Sequence, residues 1–377
     1  MRRRQVLINA LSLTAGGGGR SYLLNVLREL DRDSRGLEFT VLGDPGELSA
    51  MPCGHLAVAS VRLPAAAPGG RVPIRVAYEE SILPLRARRF DLLYCVADLA
   101  PALASTPTVV ALRNLHIYDR SYYDTLRLHV LERLVRAGVR RARRVLLPTR
   151  AAADWITRRI PIPAERIAIV PHGIAQEAFE GDRVESSSAG KPYVFLPASL
   201  ERHKRIDVLI RSLQYVSDPE LEVWIAGTDE IDPAHAADLR RLAEQLGLAS
   251  RVRFLGVVPY RKILQYYYGA VALAFPSLLE TFGHPMVEAM LAGTPIVAAD
   301  MPSFREIAGD IALYFAPDDP IQLARAVDEV RRHPDATRAR VARGCTRAIE
   351  FSWKRSVDRL CEIFEDVLRE SGHGGDR

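Results

Sequence analysis

Glu280 and Glu288 stand eight residues apart, one before and one after the turn Phe282-Gly283-His284-Pro285. The apolar run 271–276 reads as a strand and 277–284 as the loop leaving its carboxyl end. A helix is then expected to start at Pro285 and stop at Gly293, with proline at the first helical position and glycine just past the last. Backbone amides near Gly283 and His284 would form a positive helix terminus suited to phosphate. Glu280, on the loop, can reach sugar hydroxyls, and Glu288, about one turn into the helix, can accept from a diol such as a ribose. A carboxylate beside phosphate repels it unless hydroxyls intervene. The pair therefore fits a nucleotide sugar, with phosphates between two hydroxyl-bearing rings. Spacing alone also allows Glu288 merely to favour the helix dipole and Glu280 to be solvated.

Alternating short apolar runs and helical patterns must position this turn, the mark of parallel α/β sheets. Strands are expected at 6–9, 39–42, 58–63, 92–96, 108–112, 145–148 and 167–170, and again at 193–197, 222–226, 252–255, 271–276 and 296–299. Helices are expected near 205–215, 233–246 and 259–268, and the tail 319–370 is almost entirely helical. Periodicity fades over 175–192, the expected linker. Two doubly wound Rossmann-like domains follow, residues 1–175 and 190–354, with a C-terminal helix of about 355–377 packing back on the first. Such domains bind ligands at the carboxyl ends of their strands, and two facing each other leave a cleft there.

The segment PSLLETFGHPMVEAMLAGTPIVAADMPSFREIAGD resembles the donor-binding region of family 4 glycosyltransferases, whose E-x7-E motif matches Glu280 and Glu288. The resemblance covers most of 167–330 and is weaker in the N-terminal half. It implies the GT-B fold, retention of anomeric configuration, Glu280 on the donor sugar and Glu288 on the ribose. Phe282, Gly283, His284 and Ser199 are expected to join Glu288 in donor binding. Lysine is rare in this chain, only Lys191, Lys204, Lys262 and Lys354. Lys204, after a strand and at a helix start, can therefore neutralise a leaving diphosphate. In the family an arginine commonly five residues before this lysine shares the task; Ser199 stands there, so Arg202 is the expected substitute and Arg205 its rival.

The loop Gly16-Gly17-Gly18-Gly19 follows the first strand and lets bare backbone approach a phosphate. It does not spell the dinucleotide pattern GxGxxG, and the resemblance turns it toward donor diphosphate and acceptor. His116 ends the run TVVALRNLH beyond a strand, where the family carries a histidine that contacts the donor sugar. His172 falls at the connection between domains, with Ala175 where the family commonly has aspartate. Asp31-Arg-Asp33 is formally the metal-binding DxD of another glycosyltransferase class, but it lies between a helix and a strand, at the wrong sheet edge. No cofactor and no metal are expected.

Composition sets the outer limits. The 377 residues are 48% hydrophobic and 26% charged, ordinary usage for two globular domains. Cys53, Cys95, Cys345 and Cys361 form no CxxC pair, which suggests neither a disulfide framework nor a thiolate metal site. The start MRRRQVLINALSLTAGGGG is not read as a secretory signal, because Asn9 breaks the apolar run and glycines stand where cleavage is expected. The net charge of +5 is uneven: residues 1–180 hold 26 arginines, no lysine and 17 acids. The helix expected over 126–144, with Leu128, Leu131, Leu134 and Val135 on its apolar side, is the most basic stretch. A solvated face is the plain reading, and an anionic acceptor or membrane surface the functional one. Nucleic acid is disfavoured, since aromatic residues are not interleaved there. The expectation is a cytoplasmic enzyme, with peripheral contact at the inner face of the membrane as a second placement. It would pass a sugar from a nucleotide sugar to a glycolipid, lipid-linked saccharide or small-molecule hydroxyl. A nucleotide-sugar epimerase of the same fold and a non-catalytic nucleotide-binding protein are the alternatives.

Overall fold

Apolar runs of three to five residues, fenced by turn residues, become parallel strands, most of them buried on both faces. The computed structural model describes residues 3–12, 18–48, 54, 56–63, 71–179 and 190–372. The chain divides into two units, Met1–Gly173 with Trp353–Arg377, and Ile174–Ser352. In the first, β1 (Gln5–Asn9), β2 (Glu38–Gly43), β3 (Ala57–Ser60), β4 (Leu92–Cys95), β5 (Thr108–Ala111), β6 (Arg144–Leu147) and β7 (Ile167–Ile169) form a seven-stranded sheet in the order β3-β2-β1-β4-β5-β6-β7. In the second, β8 (Tyr193–Pro197), β9 (Glu222–Ala226), β10 (Val252–Gly256), β11 (Ala272–Phe275), β12 (Ile296–Ala299) and β13 (Leu313–Phe315) run in the order β10-β9-β8-β11-β12-β13. Every pairing is parallel. Strand order reverses direction at β1/β4 and at β8/β11, the switch points where this architecture opens a crevice at the carboxyl ends of the strands.

The helix Trp353–Gly372 belongs to the first unit. Trp353, Val357, Leu360, Phe364 and Val367 repeat at helical spacing and are buried. Phe364 packs on Phe39 and Tyr94, with ring centroids 6.3 and 5.2 Å apart. In the second unit, Ile174 at its start donates to the Phe351 carbonyl at its end, 3.0 Å, so the entering and leaving segments are tied. The stretch expected as a linker differs: of the described part, Gln176–Ala178 forms a short 3-10 turn within the second unit.

Three local expectations change. The strand expected over 58–63 is only Ala57–Ser60, mostly exposed on the sheet edge. The three-residue β13 was not expected, being too short for a period to show. The basic helix is Leu126–Arg141, and Arg144 starts β6. Its buried side is Glu132, Val135, Gly138 and Val139, while Leu128, Leu131 and Leu134 stay half-buried. Gly138 explains the rotation: a Cβ there would lie 2.0 Å from the Ala100 carbonyl oxygen, so only glycine lets the helix sit so close. Burial pushes the Glu132 carboxyl up, but Arg136, at 2.9 Å from its Nε, and Arg120 hydrogen-bond it and hold it below the usual range.

Candidate active site

The second sheet gathers the predicted residues at the carboxyl edge of its switch point. β8 leads into Ala198–Arg205 and β11 into Pro276–Gly283. These two segments are joined through backbone: the Leu278 amide donates to the His203 carbonyl, 2.9 Å. A third segment, after β9, braces the first, with Leu200 N donating to Thr228 O at 2.9 Å. Gly227 makes that approach possible, because a Cβ there would meet the Ala198 carbonyl oxygen at 2.0 Å.

Lys204 ends a short 3-10 turn, Arg202–Lys204, and its Nζ donates to Glu280 Oε1. Both side chains are largely but not wholly buried, 16% and 19% exposed, so the pair is reachable yet poorly screened. The buried Ser277 hydroxyl donates to the same oxygen at 2.9 Å. The cation expected for phosphate and the carboxylate expected for sugar are thus one ion pair. Of the two rival arginines, Arg205 is held by Asp207 at 3.1 Å and by Asp318, in a left-handed backbone with φ 49°. Arg202 is more exposed and pairs with Asp232 at 2.9 Å. Ser199 donates to Glu201 at 2.5 Å.

The helix carrying Glu288 runs His284–Ala292 between two left-handed glycines, Gly283 with φ 89° and Gly293 with φ 73°. His284 is its first residue and Pro285 its second, one position later than expected. The φ of Gly283 is one that residues with a side chain rarely adopt, so glycine is needed where the loop turns into the helix. Phe282, expected at the donor, has a side chain only 1% exposed and packed on His284 and Phe351, centroids 5.1 and 5.5 Å away. It anchors the turn in the core, and only its backbone can serve a ligand.

Glu288 accepts from two phenols: Tyr267 donates to Oε2 at 2.8 Å and Tyr260 to Oε1 at 3.2 Å. Burial pushes its carboxyl up to about 7, and the two hydrogen bonds pull only partly the other way. Neither tyrosine was singled out from the sequence. The signal was present, since a spacing of seven in YRKILQYYYG places them on one face of the helix Tyr260–Gly269.

In the first unit, His116 lies in the 3-10 turn Leu115–Ile117 beyond β5, half-buried, its ring centroid 6.1 Å from that of Tyr123. Its amide donates to Asn114 Oδ1 at 3.0 Å. Asp98, in the left-handed region with φ 42°, accepts from the amides of Arg113 and Asn114 at 2.9 and 3.1 Å. Burial pushes Asp98 up to about 6 against those bonds. At the switch point, Asn9 donates to the buried Glu79 at 2.8 Å, an acid the sequence did not flag. His172, buried, packs on Tyr22 and Trp353 with centroids 5.0 and 6.5 Å away, a core position. Gly16 and Gly17 lie outside the described residues; Gly18 opens the helix Gly18–Arg32. Asp33 of the DxD accepts from the Arg35 amide at 2.9 Å, shaping a turn. Cys95, Cys345 and Cys361 are free; Cys53 is outside the described residues. No helix among the described residues is long and apolar enough to cross a membrane.

Comparison with known proteins adds relatives to this geometry. The family described as "Glycosyl transferases group 1" matches residues 179–344, and "Glycosyltransferase Family 4" matches 16–177. The chain is 28% identical over 235 residues to the O-antigen chain mannosyltransferase RfbU of Salmonella typhimurium, covering 61% of this chain and 64% of that protein. It is 27% identical over 253 residues to D-inositol 3-phosphate glycosyltransferase 1 of Catenulispora acidiphila, covering 63% and 60%. The chain therefore spans somewhat less than two thirds of the length of these curated relatives. Among solved structures, Anabaena HepE in complex with UDP and glucose aligns with a TM-score of 0.76 at 19% identity, over 96% of this chain and 100% of that one. Sucrose-phosphate synthase of Thermosynechococcus elongatus aligns with a TM-score of 0.77 at 19% identity, over 98% and 100%. The fold is GT-B, and with group 1 and family 4 models together spanning most of its length, the chain belongs to the family 4 glycosyltransferases.

Proposed function

We propose that this enzyme moves a sugar from a nucleotide-sugar donor to a hydroxyl acceptor, with retention of configuration and without a metal ion. The observation that carries the reading is the Lys204–Glu280 ion pair, set beside the start of the helix that presents Glu288. Glu288 would take the ribose hydroxyls, the amides of Gly283 and His284 the phosphates, and Glu280 the hydroxyls of the sugar. Relatives support this class of donor and reaction: HepE is described bound to UDP-glucose, and RfbU is a mannosyltransferase.

In the transfer step the C–O bond between the anomeric carbon and the donor phosphate breaks, and the acceptor oxygen bonds to the same face of that carbon. The leaving phosphate oxygen takes the acceptor's proton. Charge grows on that phosphate in the transition state, so a fixed cation and fixed amides lower the barrier. Lys204 supplies the cation, with Arg202 as its neighbour. In the first unit His116 is assigned to the donor sugar, by its resemblance in position. The test is incubation with a panel of nucleotide sugars and candidate acceptors in excess chelator. Glycosylated acceptor with unchanged anomeric configuration is expected; activity restored only by Mg or Mn, or release of an epimerised free sugar, contradicts the reading.

The acceptor is assigned to the basic first unit. Arg86, Arg88, Arg89, Arg140, Arg141 and Arg143 are exposed there, while Arg144 pairs with Glu370. Exposed arginines of this kind attract an anionic acceptor or membrane surface by about 1 kcal/mol each, within a Debye length of about 8 Å at physiological salt. In vesicle sedimentation the membrane version predicts binding to anionic but not neutral vesicles, lost in high salt. No binding at low salt would leave a soluble acceptor.

A further inference from the structure

The two phenols on Glu288 share a helix face and an acceptor but differ in burial and in how firmly they are held. Tyr267 is fully buried, its ring centroid 5.2 Å from Phe195 in an edge contact, and its hydroxyl also lies 3.2 Å from the Pro285 carbonyl. Its own carbonyl accepts from the buried Thr294 hydroxyl at 2.7 Å, just past the glycine that ends the Glu288 helix. Tyr267 is therefore fixed at both ends, and it reaches Glu288 at 2.8 Å. Tyr260 is the first residue of its helix, 40% exposed, close in sequence to the 79% exposed Val257. Its bond to Glu288 is the longer one, 3.2 Å.

A carboxylate offers about four lone-pair positions, but a vicinal diol engages it best by bonding both oxygens at once. The Oε2 partner is immovable, and the Oε1 partner stands at the protein surface, where a ligand hydroxyl arrives. We propose that Tyr267 is a positioning residue that fixes Glu288, and that the Tyr260 hydroxyl occupies the place of one ribose hydroxyl and must be displaced when a nucleotide binds. This inference rests on the assignment of Glu288 to a ribose. It makes Tyr260 a competitor built into the site: a ribose must break its bond to Glu288, whereas a nucleotide lacking both hydroxyls leaves that bond in place.

The signature is a pair of opposite shifts. Each protein is titrated with UDP and GDP and with their 2′,3′-dideoxy counterparts, and the ratio of the two affinities is measured on the same sample. That ratio does not depend on how much of a variant is folded if the active fraction is fitted. In Tyr260→Phe the preference for the ribonucleotide should rise about threefold or more, because a hydrogen bond to a charged acceptor no longer has to be broken. In Tyr267→Phe it should fall about tenfold, since Glu288 loses its fixed partner. A lower preference in Tyr260→Phe, or an unchanged one in Tyr267→Phe, overturns the proposal. If the preference vanishes in Glu288→Gln yet neither phenylalanine variant moves it, only the tyrosine roles fall. If wild type binds neither diphosphate, or shows no ribose preference, the donor assignment falls with them.

Discussion

Replacing Lys204 by alanine is expected to slow sugar transfer about 100- to 1,000-fold at saturating donor, the range seen when one fixed donor is removed from a developing oxyanion. Donor KM should change far less, because the charge that Lys204 meets grows only as the phosphate leaves. The ion pair complicates the reading: without Lys204, Glu280 keeps the Ser277 hydroxyl but loses its cation. An uncompensated, largely buried carboxylate could then repel the donor by itself. The double variant Lys204→Met, Glu280→Gln, read against Glu280→Gln alone, separates the two causes, since it removes both charges and keeps both volumes. If Lys204 acts on the leaving phosphate, the double variant remains as slow as Lys204→Ala. Recovery of most of the Glu280→Gln rate in the double variant would reduce Lys204 to a partner of Glu280.

Glu288→Ala is expected to weaken nucleotide binding by about 1.5–3 kcal/mol, roughly 10- to 150-fold, the worth of hydrogen bonds to a charged acceptor. The same residue should make binding depend on pH. Its partners are two phenols, not a cation, and burial raises its carboxyl to about 7. The ribose hydroxyls donate, so they prefer the ionised form, and affinity should rise with pH. With half-ionisation near 7, wild type at pH 6 should bind about tenfold more weakly than at pH 8. Stability has the opposite sign: a carboxyl raised in the folded state above its ordinary 4.5 destabilises the fold once ionised, so this contribution is lost as pH rises through about 7. Glu288→Gln should flatten the affinity difference after the nucleotide's own phosphate titration is subtracted. An equal pH dependence in both proteins would show that Glu288 does not meet the ribose.

Much of this site was legible because its geometry is local. Glu280, Gly283 and Glu288 are ordered by one strand-loop-helix unit whose punctuation, Pro285 and Gly293, is written in sequence. The strands were visible for the same reason, as unbroken apolar runs such as Ala272–Phe275. Contacts between distant segments were not visible. Lys204 and Glu280 are 76 positions apart, and only the β8/β11 switch brings them together. Tyr260 and Tyr267 looked like ordinary helical aromatics until Glu288 was placed opposite them. The basic helix showed its hydrophobic period, but Gly138 and the buried Glu132 turned it away from the leucine face. The sequence neighbours of Phe282 place it at the site, whereas the left-handed turn at Gly283 drives its ring into the core.

On the proposed function, the second unit's switch point holds a nucleotide sugar through Glu288, Glu280 and Lys204. Calorimetric titration of the wild-type protein and of Glu288→Ala with a panel of UDP-, GDP- and ADP-sugars, in chelator, tests it most directly. Saturable one-to-one binding of at least one donor by wild type is expected, at least about tenfold weaker in Glu288→Ala. Absence of binding by every donor, or equal affinity in the two proteins, would contradict it.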